Sequence, residues 1–315
     1  MNIKFAEDVK LGLENSPKTL PSKYFYNKRG SELFSAIMQL PEYYLTNAEM
    51  EIFSEQSSAL IKLFNLNTSV PFDLLELGAG DGKKTIKLLK ALSKQNYTFT
   101  YHPIDISAKA LQQVEGNIAK EIPNLSLQSQ KGDYFEILNE LKNTQKPKVV
   151  LFLGSNLGNM NDQKAEYFLS QLSENLNPGD KLVLGLDLQK SPDIILPAYN
   201  DRQGITSEFN LNLLHRINTE LGANFDLSKF KHAPEYDEVN GIAKSYIQSK
   251  VDQAVTIKAI ETTIEFAEGE KIHTEISRKY NHDIVNKLCE SAGFEIVDTL
   301  SDSKGYFADF VLIKR

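Results

Sequence analysis

The 315-residue sequence contains no tryptophan and a single cysteine, Cys289. One thiol excludes an internal disulfide and any metal site built from several cysteines. Long apolar runs are missing as well. LPEYYL (40–45) and VVLFLG (149–154) fall far short of the roughly 18 apolar residues of a membrane span. The opening MNIKFAEDVKLGLENSP breaks each apolar run with a charge, so it lacks the hydrophobic region of a secretory signal. An excess of positive charge is also absent: 35 Lys+Arg face 42 Asp+Glu, a formal net charge of −7. That balance argues against broad electrostatic association with nucleic acid or an anionic membrane. Neither an internal repeat nor a low-complexity tract is present. These absences lead us to expect a cytoplasmic protein that handles a small molecule, with no obligate protein partner visible.

What is there is ordinary globular material. Hydrophobic residues make up 41% and charged residues 24%, with 13 Tyr and 17 Phe to furnish a core or a ligand pocket. The length suits one large domain or two modest ones. In the first 60 residues, Leu33, Phe34, Ile37 and Leu40 fall at helical spacing and Pro41 stops the helix. Thr46 with Glu49 resembles a capping box opening the next helix. From Phe72 the rhythm changes. FDLLEL, TFTYHPIDIS, a weaker LSLQSQK, KVVLFL and KLVLGLDL read as strands, each followed by a helical stretch until the last. One of those helices starts at Ser107, and another closes in the turn Asn177–Pro178–Gly179–Asp180. Strands alternating with helices imply βαβ units and a parallel sheet. After Gln189 the rhythm fails, and residues 244–277 alternate like antiparallel strands joined by Ala267–Glu268–Gly269. A helix and a strand pair then close the chain. The pattern predicts an α/β, Rossmann-like core from residues 61–189 and 280–315. A second, α+β lobe comes from 1–60 and an insertion at 190–279.

The chemistry gathers at the strand ends. Glu76–Leu77–Gly78–Ala79–Gly80–Asp81–Gly82 lies between a strand and a helix, where glycines let backbone pass close to a nucleoside. A carboxylate before the first glycine would repel a pyrophosphate, but could accept a bond from an α-ammonium group or an ordered water. This favours S-adenosylmethionine over a dinucleotide. Asp105 ends the second strand, where a carboxylate can hold both ribose hydroxyls, and Asp133–Tyr134 follows the third, suited to an adenine amino group and ring. Rival motifs are poor. His102, His215, His232, His273 and His282 are scattered with no i, i+4 pair suited to zinc, and no metal is expected. No G-x-S-x-G elbow or phosphate-binding G-x-x-x-x-G-K-[ST] loop occurs.

Residues 24–34 (YFYNKRGSELF) and 40–46 (LPEYYLT) resemble the N-terminal signature of the histidine-specific methyltransferase family. The resemblance continues through ELGAGDGKKT, PIDIS, LFLGSNLGN, LGLDLQKSP, AYNDRQGITSEFNLNLLHRIN, LGANFDL and IHTEIS, covering nearly the whole chain. It implies a seven-stranded methyltransferase sheet, a substrate-binding lobe, and S-adenosyl-L-methionine as cofactor. It further implies N-methylation of the α-amine of free L-histidine, the methylation step of ergothioneine biosynthesis. Carried over by position, the cofactor site is Tyr26, Gly78, Lys84, Asp105, Asp133 and Tyr134. The amino-acid site is Tyr43, Asn159, Tyr199, Thr206, Glu275 and Ser277, with Tyr43 orienting the reacting amine. Ser245 stands where histidine-directed members usually carry methionine. Methylation of another aromatic amine, such as a tryptophan derivative, is therefore the alternative; a non-catalytic cofactor-binding scaffold is a more distant one.

Overall fold

The structure, a computed structural model, describes residues 3–142, 144 and 146–315. Met1 and Asn2, the start of the charged N-terminal stretch, lie outside the described residues. In α1 (Ile3–Glu14), Phe5, Ala6, Val9 and Leu13 recur at helical spacing and are buried. The short strand β1 (Lys18–Thr19) follows. Asn27 then opens α2 (Lys28–Ile37) by accepting the Gly30 N–H at 2.8 Å, an N-cap bond. This helix ends at Ile37, so Leu40 lies beyond it, although still buried.

The next helix departs from expectation. α3 (Tyr44–Phe64) begins at Tyr44, so Thr46 sits inside the helix rather than capping it. Glu49 shares a buried face with Leu45, Ile52 and Phe53, its neighbours at i−4, i+3 and i+4. Farther along, Phe53, Leu60, Ile61 and Phe64 join the core of the central sheet. Residues 45–60 thus pack with the sheet, not with the substrate lobe in which the sequence placed them. The two compact units are 1–44 with 190–277, and 45–189 with 278–315.

The sheet unit alternates regularly: β2 (Phe72–Leu77), α4 (Lys83–Lys94), β3 (Phe99–Asp105), α5 (Ala108–Glu121), β4 (Gln130–Lys131), α6 (Tyr134–Leu141), β5 (Lys148–Phe152), α7 (Asp162–Glu174) and β6 (Lys181–Asp187). Every residue of β2, β5 and β6 is buried, as in strands covered on both faces. Alternate residues serve opposite faces. Leu75, Val150, Leu182 and Leu184 meet α6 and α7, while Leu74, Val149, Leu151 and Val183 meet α3, α4 and α5. Ser107 caps α5, and the Asn177–Asp180 turn closes with a 3.0 Å backbone bond, both as the sequence predicts.

The insertion contributes α8 (Pro192–Tyr199), α9 (Ile205–Leu221), β7 (Phe230–His232), β8 (Glu235–Asp237), β9 (Ile242–Ser249), β10 (Gln253–Ile257), β11 (Thr262–Phe266) and β12 (Lys271–Arg278). The turn at 267–269 does not join a hairpin: β11 pairs with β10, whereas β12 lies between β1 and β9 in a second sheet. This unit has its own core, in which Phe5, Val9 and Phe25 of the N-terminal segment meet Phe209, Leu213, Ile247 and Ile272 of the insertion.

The chain ends with α10 (His282–Ser291), β13 (Phe294–Ser301) and β14 (Phe307–Lys314). The seven-stranded order is β13-β14-β6-β5-β2-β3-β4. β2, β3, β4, β5 and β6 pair in parallel; β14 enters between β13 and β6, antiparallel to both. Among the described residues, no helix is long and apolar enough to cross a membrane.

Candidate functional site

In the sheet unit, the loop between β2 and α4 turns on three left-handed glycines, Gly78, Gly80 and Gly82. The Tyr134 hydroxyl stands 2.9 Å from the place a Cβ on Gly78 would take, so a side chain there would have to displace it. Above Gly80 a Cβ would meet nothing within 4 Å, which leaves the loop open on that side. Asp105, the last residue of β3, accepts the Ser107 N–H through Oδ1 at 2.8 Å. Burial pushes its carboxyl above the usual range, opposed by the amides of Ser107, Gly80 and Ile106. Asp133 caps α6 through Oδ1, taking the Phe135 and Glu136 N–H groups at 2.9 and 3.4 Å. Burial, then the charges of Asp105 and Asp133, push the Tyr134 hydroxyl up to about 12. Gly78, Asp105, Asp133 and Tyr134 are therefore brought together at the carboxyl ends of the strands.

Lys84, in the first turn of α4, forms an ion pair with Glu49. Burial would lower its pKa, but the charge and hydrogen bond of Glu49, with Glu76 and Asp309 beyond, hold it above the usual lysine value. Asn159 is exposed at the end of a 3₁₀ turn, Asn156–Asn159, that follows β5. Glu76 does not offer its carboxylate to a ligand. It belongs to a wholly buried strand and turns inward, accepting Thr85 Oγ1 at 2.7 Å and the Tyr101 hydroxyl. Burial pushes its pKa to about 7, with the two hydroxyls pulling the other way.

The remaining expected residues belong to the other unit. Tyr26 packs edge-on against Phe34 and Phe209, and Phe34 does the same to Tyr43. Tyr26 is 46% exposed, yet crowding around its hydroxyl, then the negative charge of Glu275, pushes its pKa upward. The Tyr199 hydroxyl donates to Ser277 Oγ at 2.7 Å, joining the end of α8 to β12. Glu275 and Ser277 are two apart on β12 and so share a face. Thr206 is buried in the first turn of α9, and its N–H donates to Asp201 Oδ1 at 2.7 Å.

Three supporting residues went unsuspected. His232 Nε2–H donates to the Tyr199 carbonyl at 2.7 Å; burial lowers its pKa and keeps the ring neutral. Asp201 holds the start of α9, and Glu49 holds Lys84. Glu49 was findable as a carboxylate at helical spacing among apolar residues. His232 and Asp201 carry no such signal.

A seven-stranded sheet with its last strand reversed, and a glycine loop flanked by acidic residues at successive strand ends, defines a protein of the S-adenosylmethionine-dependent methyltransferase class. Comparison narrows the class. The family described as histidine-specific methyltransferase, SAM-dependent, matches residues 5–314, and this chain belongs to it. The chain is 35% identical over 301 residues to the histidine N-alpha-methyltransferase of Mycolicibacterium smegmatis, covering 95% of this chain and 92% of that protein. It is 34% identical over 306 residues to the histidine N-alpha-methyltransferase of Mycobacterium tuberculosis, covering 97% and 94%. It is 31% identical over 289 residues to Ergothioneine biosynthesis protein 1 of Neurospora crassa, covering 90% of this chain and 32% of that longer protein.

Proposed function

We propose that the protein transfers methyl groups from S-adenosylmethionine to the α-amine of free L-histidine, as a cytoplasmic enzyme of ergothioneine biosynthesis. The observation that carries this reading is the full-length match to a histidine-specific family together with polar groups suited to an amino acid and an imidazole. The donor set of the sheet unit fits the cofactor. Asp105 has its Oδ2 outside the Ser107 bond, as a ribose diol requires, and Tyr134 lies over an open glycine loop. In this reading Tyr26, Gly78, Lys84, Asp105, Asp133 and Tyr134 bind the cofactor, with Lys84 supplying the cation for its carboxylate. The bound cofactor supplies an electrophilic methyl on a sulfonium, so positioning and desolvation are most of what the protein adds.

Asn159, Tyr199 and Thr206 supply neutral donors for the histidine carboxylate. Glu275 and Ser277 hold the two imidazole nitrogens from one face of β12. Tyr43 orients the α-amine and relays its proton to water, because only the neutral amine has the lone pair. Incubation with S-adenosylmethionine and single amino acids, followed by mass spectrometry, tests the reading. Histidine gains one, two or three methyl groups while other amino acids gain none; no transfer to histidine overturns it. Ser245, buried on β9, supports the second reading, an aromatic amine related to tryptophan. In that case the same assay labels tryptophan or its derivatives in preference to histidine.

A further inference from the structure

Lys84 is the visible end of a buried charge cluster. Glu49 reaches it from α3 and is only 1% exposed. One of its oxygens pairs with the Lys84 ammonium, and the other accepts the Gly154 N–H at 2.8 Å. Asp309, the third residue of the reversed strand β14, is fully buried, and neither carboxyl oxygen has a hydrogen-bond partner among the described residues. Gly185 on β6 makes room for both acids, since a Cβ there would run into Glu49 Oε1 and lie 2.9 Å from Asp309 Oδ1. Glu76 reaches the cluster from β2, with its oxygens taken by Thr85 and by Tyr101 of β3.

An acid within a strand, fully buried and with no hydrogen-bond partner among the described residues, costs stability that an apolar side chain there would not. Local rules are broken in this way chiefly where function requires it. Three buried carboxyls around one ammonium cannot all be ionised, and carboxyls that share a site retain a proton. Burial first, and then the charge of Glu49, push the Asp309 carboxyl well above its usual range, against the pull of Lys84.

We propose that Glu49 is a positioning residue for Lys84, and that the carboxyl pair of Glu49 and Asp309 keeps one proton, leaving a single negative charge opposite the ammonium. The inference rests on the reading that Lys84 holds the cofactor carboxylate. With its ammonium fixed by Glu49, Lys84 meets that carboxylate in one preset geometry. With that proton, Asp309 sets no second negative charge beside Glu49.

Calorimetric titration of S-adenosylhomocysteine into the purified protein tests this, with binding followed from neutral to alkaline pH. Lys84→Met and Glu49→Gln each weaken binding by about tenfold or more, the loss expected with a charge-assisted bond. The KM for histidine at saturating cofactor stays within about twofold in Glu49→Gln, a split that general loosening of the fold would not give. Asp309→Asn, which mimics the neutral acid, binds like the parent at neutral pH and lacks the parent's additional loss of affinity at alkaline pH. If Lys84→Met binds as tightly as the parent, the assignment of Lys84 itself is wrong. If Lys84→Met is weakened and Glu49→Gln is not, the positioning role alone is overturned. Should Glu49→Gln fail to fold, the alkaline limb decides: identical profiles for Asp309→Asn and the parent overturn the shared proton.

Discussion

Glu76 illustrates how surroundings rather than residue type decide a charge. A glutamate has an ordinary pKa of 4.5; buried in β2, this one is pushed up to about 7 against the pull of two hydroxyl donors. The folded state therefore holds the proton more tightly than the unfolded chain. The sign follows from linkage: stability from this group is fully present below about pH 4.5 and is lost as the pH rises to about 7. The loss is about 3 kcal/mol, from the size of the shift. Glu76→Gln keeps one acceptor oxygen for a hydroxyl and turns an NH2 donor toward the other, without the charge. Urea unfolding should show the variant gaining about 3 kcal/mol relative to the parent between pH 5 and pH 8. Parallel stability curves would show that the carboxylate is solvated or paired better than its burial suggests. Tyr134 behaves in the same direction, so it remains a neutral hydroxyl over Gly78 throughout that range.

At the scale of an element, the start of α9 shows how a helix end positions Thr206, the proposed amino-acid contact. Gly204 turns the chain in the left-handed region, and Asp201 receives the Ile205 and Thr206 N–H groups at 3.0 and 2.7 Å. Burial alone would raise the Asp201 carboxyl, but the Thr206 hydroxyl and amide, with the Ile205 and Gly204 amides, hold it below the usual range. The stability it confers is thus present above its ordinary pKa and lost as the pH falls below that. Asp201→Ala should cost about 1–2 kcal/mol of stability, the value of a helix N-cap. It should also raise the KM for histidine, through Thr206, with little change in cofactor affinity. A loss of cofactor affinity equal to the loss for histidine would contradict the assignment of Thr206.

The same scale shows what the sequence could and could not reveal. β2, β3, β5 and β6 were legible because apolar runs between helices are a local signal, as were the glycine turns after β2. The closing helix and strand pair were legible too, in the same local alternation. The partner of β12 was not, because β1 is two residues long and carries no periodicity. Nor was the direction of Glu76, since a strand residue faces core or ligand according to a parity that one residue of register reverses. In the candidate site, Gly78, Asp105, Asp133 and Tyr134 were readable as strand-end residues. Asp309 was readable only as a misplaced charge in an apolar strand, with no sign of its neighbours.

For the whole molecule, the decisive feature is how a long insertion leaves the sheet unit and returns to it. The chain departs at the end of β6 and comes back beside that point: Tyr280 N–H donates to the Asp187 carbonyl at 2.9 Å, and Gln189 N–H to the Tyr280 carbonyl at 2.8 Å. Lys279 and Asp187 seal the junction with an ion pair at 2.7 Å in which both side chains are fully buried. These bonds hold the two ends of the insertion side by side at the carboxyl end of β6. Desolvation makes such a pair a poor source of net stability, but breaking it strands one charge in the interior. Lys279→Met should therefore cost about 3–5 kcal/mol in urea unfolding. The double variant Asp187→Asn, Lys279→Met should recover much of that loss, because the stranded carboxylate is gone. The coupling between the two substitutions is the quantity to measure. If the losses simply add, the junction is held by its backbone bonds and the buried pair contributes nothing specific. If the double variant recovers, the pair is the lock at the junction, and the single variant should also be cleaved faster by protease at residues 188–192 than the parent.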